Sequence, residues 1–539
     1  MNMNISFVAL PLVFALAGGE ASAASTVAVP VQTAQAGVCR EVVELSHRYD
    51  AGRALPETMT AEGTPCPRSD AADCLISVMD KVLAKCRKEG MAALAPEDRE
   101  MILRLRDDLA DELEKRHGYH SLREQVESML AKPDSYDYEY RLGVNGFMRG
   151  EGAGTFRLPD SGYAPGHGEG RFLYRVKPYF FWHPAGWLDI HAEGQGYGYN
   201  GGSQQHSKVS LYQGFAEILC PSCEGNSLKA GRQELVYGSA FMLGSNSFYQ
   251  GLTFDALRLR LTPVKPLTVD FFGGWYATPW SDGVEGSLAG AYATWNIAEG
   301  TALEFYGFRD TGSDDRHSGE HRNSVGLRAT AKLGPVSLEV EPVWQRGRLY
   351  NGVDGNESIS AWGGHVDLYA DTEFAGFTNH FFAGAAYGSG SREAADGTSG
   401  RKEFLNQITD SSLAGDMGVV GDLSGLDVGD SHASGLQIYT LGWGVDITEE
   451  LILSATGRYF LANYTADEAS RRIGLETDLT LTYAVNESLS VIAGYDRFFT
   501  GKFFRDASDS DDDIHYGYLM LQFDLSHTAP KKPAQKPAR

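Results

Sequence analysis

The sequence predicts a mainly β fold, a transmembrane antiparallel β-barrel of about 18 strands preceded by a small α-helical periplasmic domain. Three observations predict it. From Tyr136 onward, apolar and polar residues alternate with a period of two in run after run. The links between those runs alternate between tight turns and long, polar, Gly-rich loops, the asymmetry of an outer-membrane barrel. An apolar stretch opens the chain, and no later run is apolar for the eighteen or so residues a helical span needs.

The opening stretch, Ile5 to Gly18, precedes Ala21-Ser22-Ala23, an A-x-A cleavage pattern. It predicts a signal peptide over 1–23, and the small polar residues of 24–38 read as a tether. A helical, cysteine-containing domain follows over 39–132. Ile76, Met79, Val82 and Leu83 keep one helical face, and Ile102, Leu105, Leu109 and Leu113 keep another. Pro96 with Glu97 and Asp98 suits a first helical turn, and Ser121 to Glu124 reads as a capping box. This domain has two readings: a cap stapled by disulfides, or a docking module for a periplasmic scaffold protein. Cys39, Cys66, Cys74 and Cys86 fit an oxidising compartment and allow two disulfides in three pairings. Cys220-Pro-Ser-Cys223 is a lone CxxC, read as a short disulfide or a thiol pair in a turn.

The barrel is assigned to 136–525, with strands at 137–150, 169–182, 186–199, 207–219, 227–237, 252–262, 266–278, 285–298, 300–311, 321–333, 335–348, 358–372, 376–389, 434–447, 450–463, 471–484, 488–500 and 513–525. Tight links such as His183-Pro184-Ala185, Gly334 and Asn486-Glu487 follow every second strand. Longer loops, 151–168, 238–251, 390–433 and 501–512 among them, follow the others. An even count places both ends of the barrel on the short-turn side, the periplasm, and the domain at 39–132 belongs there too. Facing sets recur. Tyr174, Val176, Phe180 and Trp182 oppose Arg171, Arg175 and Lys177. Val325, Leu327, Ala329 and Leu333 oppose Arg328 and Lys332. Ile473, Leu475, Leu479, Leu481 and Tyr483 oppose Glu476 and Asp478. Residues 526–539 form a basic, Pro-rich tail.

Composition excludes several functions. A net charge of −24 argues against nucleic acid as partner. No G-x-S-x-G, P-loop, dinucleotide fingerprint or H-E-x-x-H appears, so no enzyme and no cofactor is expected. His183, His191 and His365 stand isolated in sequence. The Asp-rich runs at 416–430 and 509–513 lack EF-hand spacing, so they read as solvated loops, and no metal is expected.

By parity, the cations facing the lumen are Arg141, Arg149, Arg171, Arg175, Lys177, Arg258, Arg260, Arg328, Lys332 and Arg458. Glu139, Asp189, Glu193, Asp270, Glu339, Glu341, Asp367, Glu476 and Asp478 also point inward. Arginine suits carboxylates because its planar fork pairs with them at two points. Two readings stand: an electropositive track for an anionic polymer, or cross-strand ion pairs that merely fill a polar lumen. The apolar loop 238–251 either folds inward as a constriction or lies on the rim.

One stretch, Leu228 to Pro263, carries more. Its GRQELVYG, an apolar loop and FDALRLRL resemble the signature segment of the alginate-export family of outer-membrane β-barrels. The resemblance implies a wide barrel whose basic lumen conducts an anionic polysaccharide outward, with Arg232 joining the lumen cations. The bacterial outer membrane, its lipid and lipopolysaccharide, an anionic polysaccharide and a periplasmic scaffold are the surroundings it implies. Two alternatives remain beside export: an anion-selective diffusion porin, and a structural barrel that anchors periplasmic partners.

Overall fold

The computed structural model describes residues 36–49, 51, 66–89, 96–113, 138–158, 162–202, 205–223, 225–245, 248, 250–277, 286–311, 321–350, 356–406, 413, 415–466 and 469–530. The signal-peptide expectation (1–23) and the capping box at Ser121 lie outside them, as does the expected tail (526–539) beyond Pro530; its first five residues, 526–530, extend the last strand instead. The chain divides into two compact units, one helical and one β.

The helical unit contains α1 (Ala36–Arg48), α2 (Arg68–Glu89), α3 (Pro96–Asp108) and the short α4 (Ala110–Leu113). α1 begins inside the expected tether. Val42 and Leu45, three residues apart on its inner face, bury fully and supply the apolar stripe that holds it. Leu75, Val78, Met79 and Val82 of α2 meet Ile102, Leu105, Leu109 and Leu113 in one core. Ile76 only flanks that core. The Tyr49 hydroxyl donates to Asp98 at 2.7 Å, and Arg68 pairs with Glu112 at 3.0 Å.

Cys39 is bonded to Cys66, whereas Cys74 is a free thiol. Among the described residues no second bridge forms in this unit. Cys74 and Cys86 share α2, where twelve residues at 1.5 Å each separate them by about 18 Å, far beyond disulfide reach. Cys220 and Cys223 are bonded to each other.

The β unit contains β1 Tyr138–Arg157, β2 Gly162–Ala185, β3 Leu188–Gly201, β4 His206–Leu219, β5 Ser227–Gln233, β6 Phe254–Val264, β7 Leu267–Tyr276, β8 Ser287–Ala298, β9 Thr301–Asp310, β10 His321–Leu333, β11 Val336–Tyr350, β12 Asn356–Phe374, β13 Phe377–Gly388, β14 Gly425–Val428, β15 Ser431–Asp446, β16 Leu451–Thr465, β17 Arg472–Asn486, β18 Leu489–Thr500 and β19 Ile514–Pro530. All belong to one 19-stranded sheet. β14 is a four-residue hairpin arm on β15. The other eighteen run antiparallel to their neighbours and close where β1 pairs β19, with Tyr138 opposite Pro530.

The barrel is inside out compared with a soluble protein. Phe172, Leu257, Leu259, Trp275, Phe305, Leu441, Leu479 and Leu519 are exposed on its outer face, while Arg149, Arg171, Glu341, Arg458, Glu476 and Asp496 are buried inside. Such a belt of apolar side chains is stable only against lipid. Gly186-Trp187, Lys265-Pro266, Glu299-Gly300, Gly334-Pro335 and Ala375-Gly376 make two-residue turns on one rim, where the seven-residue link 220–226 also lies, and the longest links, 234–253, 389–424 and 501–513, are on the other.

Several strand ends differ from expectation. β1 and β2 run on through the expected loop, pairing Phe156 with Tyr163. β5 stops at Gln233 rather than Tyr237, because the chain there turns into the barrel. Ile473 is buried rather than outward, sharing a core with Phe503 and Phe504; both belong to an unforeseen helix, Lys502–Ser508, labelled α6 after the single turn α5 (Arg392–Ala395).

Candidate functional site

Charges on the inward face of a closed barrel lose much of their water, so they need partners. On β1 and β2, Arg149 pairs with Glu151 at 2.7 Å, and its guanidinium lies 3.6 Å from the centroid of the Tyr518 ring. Arg171 shares Glu151. Arg141 sits over the Tyr179 ring at 5.6 Å. The Lys177 ammonium lies 3.4 Å from the Tyr212 ring centroid and 3.6 Å from Glu193.

Around β4 to β7 a single carboxylate, Glu217, serves two cations, Lys229 and Arg258, each at 3.0 Å. Arg260 grips Asp270 with two hydrogen bonds, at 2.8 and 2.9 Å. Its side chain is 40% exposed. Farther round, Arg328 holds both oxygens of Glu339 at 2.8 Å and reaches Glu304 at 2.9 Å, and Arg458 pairs with Asp478. Lys332 is exposed near the short-turn rim and has no ion pair among the described residues. The expected inward acids Asp189, Glu193, Asp270, Glu339, Glu341, Asp367, Glu476 and Asp478 are buried; the side chain of Glu139 lies outside the described residues.

Arg232 departs from its expected place. It lies opposite Asp255, two residues from the outward pair Ala230 and Leu257, so the two-residue period puts it on the outer face. There it binds Asp255 through two hydrogen bonds of 2.9 Å. Lys229, three positions earlier, is the inward cation of β5. The parity of this strand became legible only through its register with β6.

Two segments fold into the barrel. The link between β5 and β6 buries Leu235, Phe241, Met242 and Leu243. Arg175 donates to the Phe248 carbonyl at 3.0 Å and Gln195 to the Gln250 carbonyl at 2.7 Å, fastening this segment to β2 and β3. After β13, Phe404, Met417, Val419, Val420 and Leu423 are buried likewise. Arg322 donates to the Glu403 carbonyl at 2.8 Å and Gln345 to the Leu405 carbonyl at 2.7 Å. The Phe404 ring fills the space over Gly363, where a Cβ would approach within 2.5 Å. Thus the apolar loop 238–251 folds inward, and Arg322, which the sequence did not single out, is one of its neighbour's anchors. Asp416 is also buried, not solvated as its Asp-rich run suggested.

A closed, even-stranded barrel with an apolar outer belt and a charged interior is an outer-membrane channel. The family model described as alginate export matches residues 188–418, a span that includes the Leu228–Pro263 stretch, so this part of the chain is similar to that family. No curated protein matches the chain. Among solved structures, OccK7 (OpdD) of Pseudomonas aeruginosa is similar at a TM-score of 0.49 and 11% identity, covering 72% of this chain and 99% of its own. OccK11 (OpdR) of the same organism gives a TM-score of 0.48 at 14% identity, covering 73% and 99%.

Proposed function

We propose that this outer-membrane channel exports an anionic, alginate-like polysaccharide along the wall formed by β1 to β7. The observation that carries the reading is Glu217, one carboxylate between two cations, Lys229 and Arg258. Two positive charges sharing one negative leave a local surplus, and the half-exposed Arg260, itself paired with Asp270, stands beside it. A polymer carboxylate can join such a cluster and leave it again, because each contact is one of several weak ones. The alginate-export match over 188–418 supports the substrate class. In this reading the helical unit sits in the periplasm, where it meets a scaffold protein. Catalysis has no part in it.

The experiment is current blockade in planar bilayers by oligouronates of increasing length. Longer oligomers should block at lower concentration, and Glu217→Gln, which releases both cations, should strengthen block. Block that is independent of length, or of Glu217, would count against a polymer track. The inward segments favour a second reading, an anion-selective diffusion porin, because Phe241 and Phe404 narrow the lumen. Passage of small anions with no block by oligouronates would select it.

A further inference from the structure

Outside the basic wall, β11 and β12 bring Glu339, Glu341 and His365 together, with one ligating atom from each inside a 4.8 Å span. His365, isolated in sequence, is here beside three carboxylates. Its Nδ1 is 2.7 Å from Asp367. Its Nε2 faces Glu341 at 3.5 Å and Glu339 at 3.7 Å. The side chain is only 3% exposed, and Nε2 is buried with no hydrogen-bond partner.

We infer that Glu339, Glu341 and His365 bind a divalent cation of the zinc class. A neutral imidazole that donates from Nδ1 to Asp367 turns its Nε2 lone pair toward two carboxylates, a repulsion that either a proton on Nε2 or a metal cation between the three groups relieves. The gaps are too long for good hydrogen bonds but suit ligands about 2.0–2.2 Å from a shared zinc ion, which stand roughly 3.3–3.6 Å apart in a tetrahedron. Asp367 on the far nitrogen is the outer carboxylate that commonly orients a metal-bound histidine. Charge argues the same way. Glu304, Glu339 and Glu341 share a single arginine, Arg328, and Asp367 adds a fourth carboxylate behind the imidazole. The remaining bonds leave room: Tyr306 donates to Glu341 Oε1 at 2.6 Å and Ser239 to Oε2 at 3.0 Å, and each carboxylate keeps further lone pairs. Ser239 and Phe241, whose ring lies 4.7 Å from the imidazole, roof the site with the inward segment.

The test uses the full chain purified in detergent, stripped with EDTA, given Zn²⁺ and passed through gel filtration before metal analysis. One equivalent of zinc should remain. His365→Gln and Glu341→Gln should lose it while keeping the heat-modifiable migration of a folded barrel, and Asp367→Asn should bind about 10–100-fold more weakly. Zinc X-ray absorption of the unmutated protein does not depend on the variants folding, and should report one imidazole nitrogen among oxygen ligands. Failure to retain zinc, equal retention in folded variants, or a spectrum without imidazole would overturn the site and leave His365 as an ion-pair partner.

Discussion

The rings of Phe241 and Phe404 stack within the barrel, 6.0 Å apart and 19° from parallel. They come from two segments 163 positions apart in sequence, so the links after β5 and β13 meet over the lumen. Shortening either ring opens that contact. Phe241→Gly together with Phe404→Gly should raise single-channel conductance in planar bilayers while leaving the barrel folded. Conductance equal to the parent would mean that these segments do not set the narrowest point.

The same contact predicts a role for Gly363. Any side chain there meets the Phe404 ring within 2.5 Å, under the distance real Cβ atoms keep. Gly363→Ala should therefore displace Phe404 and raise conductance, as the double Phe variant does. Because Phe404 is fully buried, its truncation should cost about 3–5 kcal/mol of local packing. Faster proteolysis within 403–424 should report that cost, with the barrel core untouched.

Rim polarity is tested by thiol labelling. Asp396 and Asp430 are exposed on the long-loop rim, and Glu299 and Thr448 on the short-turn rim. Cysteines at the first pair should react with an impermeant maleimide on intact cells, and those at the second pair should not. Labelling at both rims, or only at Glu299 and Thr448, would reverse or abolish the assigned orientation.

The helical unit predicts one bridge and one sluggish thiol. Non-reducing mass spectrometry should find Cys39 joined to Cys66 and Cys74 free. Burial raises the Cys74 thiol above its ordinary value, and Asp73 and Asp70 add to it. Less thiolate is then present at pH 8 than on an exposed cysteine, so Cys74 should alkylate slowly and speed up as pH rises. Alkylation as fast as an exposed thiol would contradict its burial. Replacing Cys39 and Cys66 by Ala should cost about 2–5 kcal/mol in this unit.

Most of the barrel was legible because parity is a local signal: the alternation of Leu257, Arg258, Leu259 and Arg260 needs no knowledge of neighbours. What failed depends on long-range register or on loops. Arg232 lies in a short strand where glycine, alanine and polar residues blur the alternation, and its outward face appears only once it is paired with Asp255. The partnership of His365 with Glu339 and Glu341 crosses two strands, so spacing along the chain could not reveal it. Val42 and Leu45 fall inside the expected helical domain, but the start of α1 at Ala36 was missed because the small residues ahead of Cys39 read as a tether.

The basic wall makes the most discriminating prediction. A permeating ion feels lumen charge, whereas most of the chain's net charge of −24 is carried elsewhere, so the channel should prefer anions despite its acidic total. Higher salt should weaken the preference, since the Debye length falls from ~10 Å at 0.1 M to ~3 Å at 1 M. Arg258→Glu with Arg260→Glu should reduce or reverse it. In that variant Glu217 and Asp270 lose their arginine partners and add their own charge to the two new carboxylates. Arg232→Gln is the internal control: its guanidinium lies on the outer face against Asp255, so selectivity should stay as it was. Leu259→Arg separates lumen from lipid in the other direction. Leu259 faces outward, and a cation there should cost about 2–4 kcal/mol near mid-bilayer and harm folding rather than selectivity. Reversal potentials across a salt gradient measure all three. Unchanged selectivity in the Arg258/Arg260 variant would reduce these arginines to lumen filler, and a shift in Arg232→Gln would refute the register that places it outside.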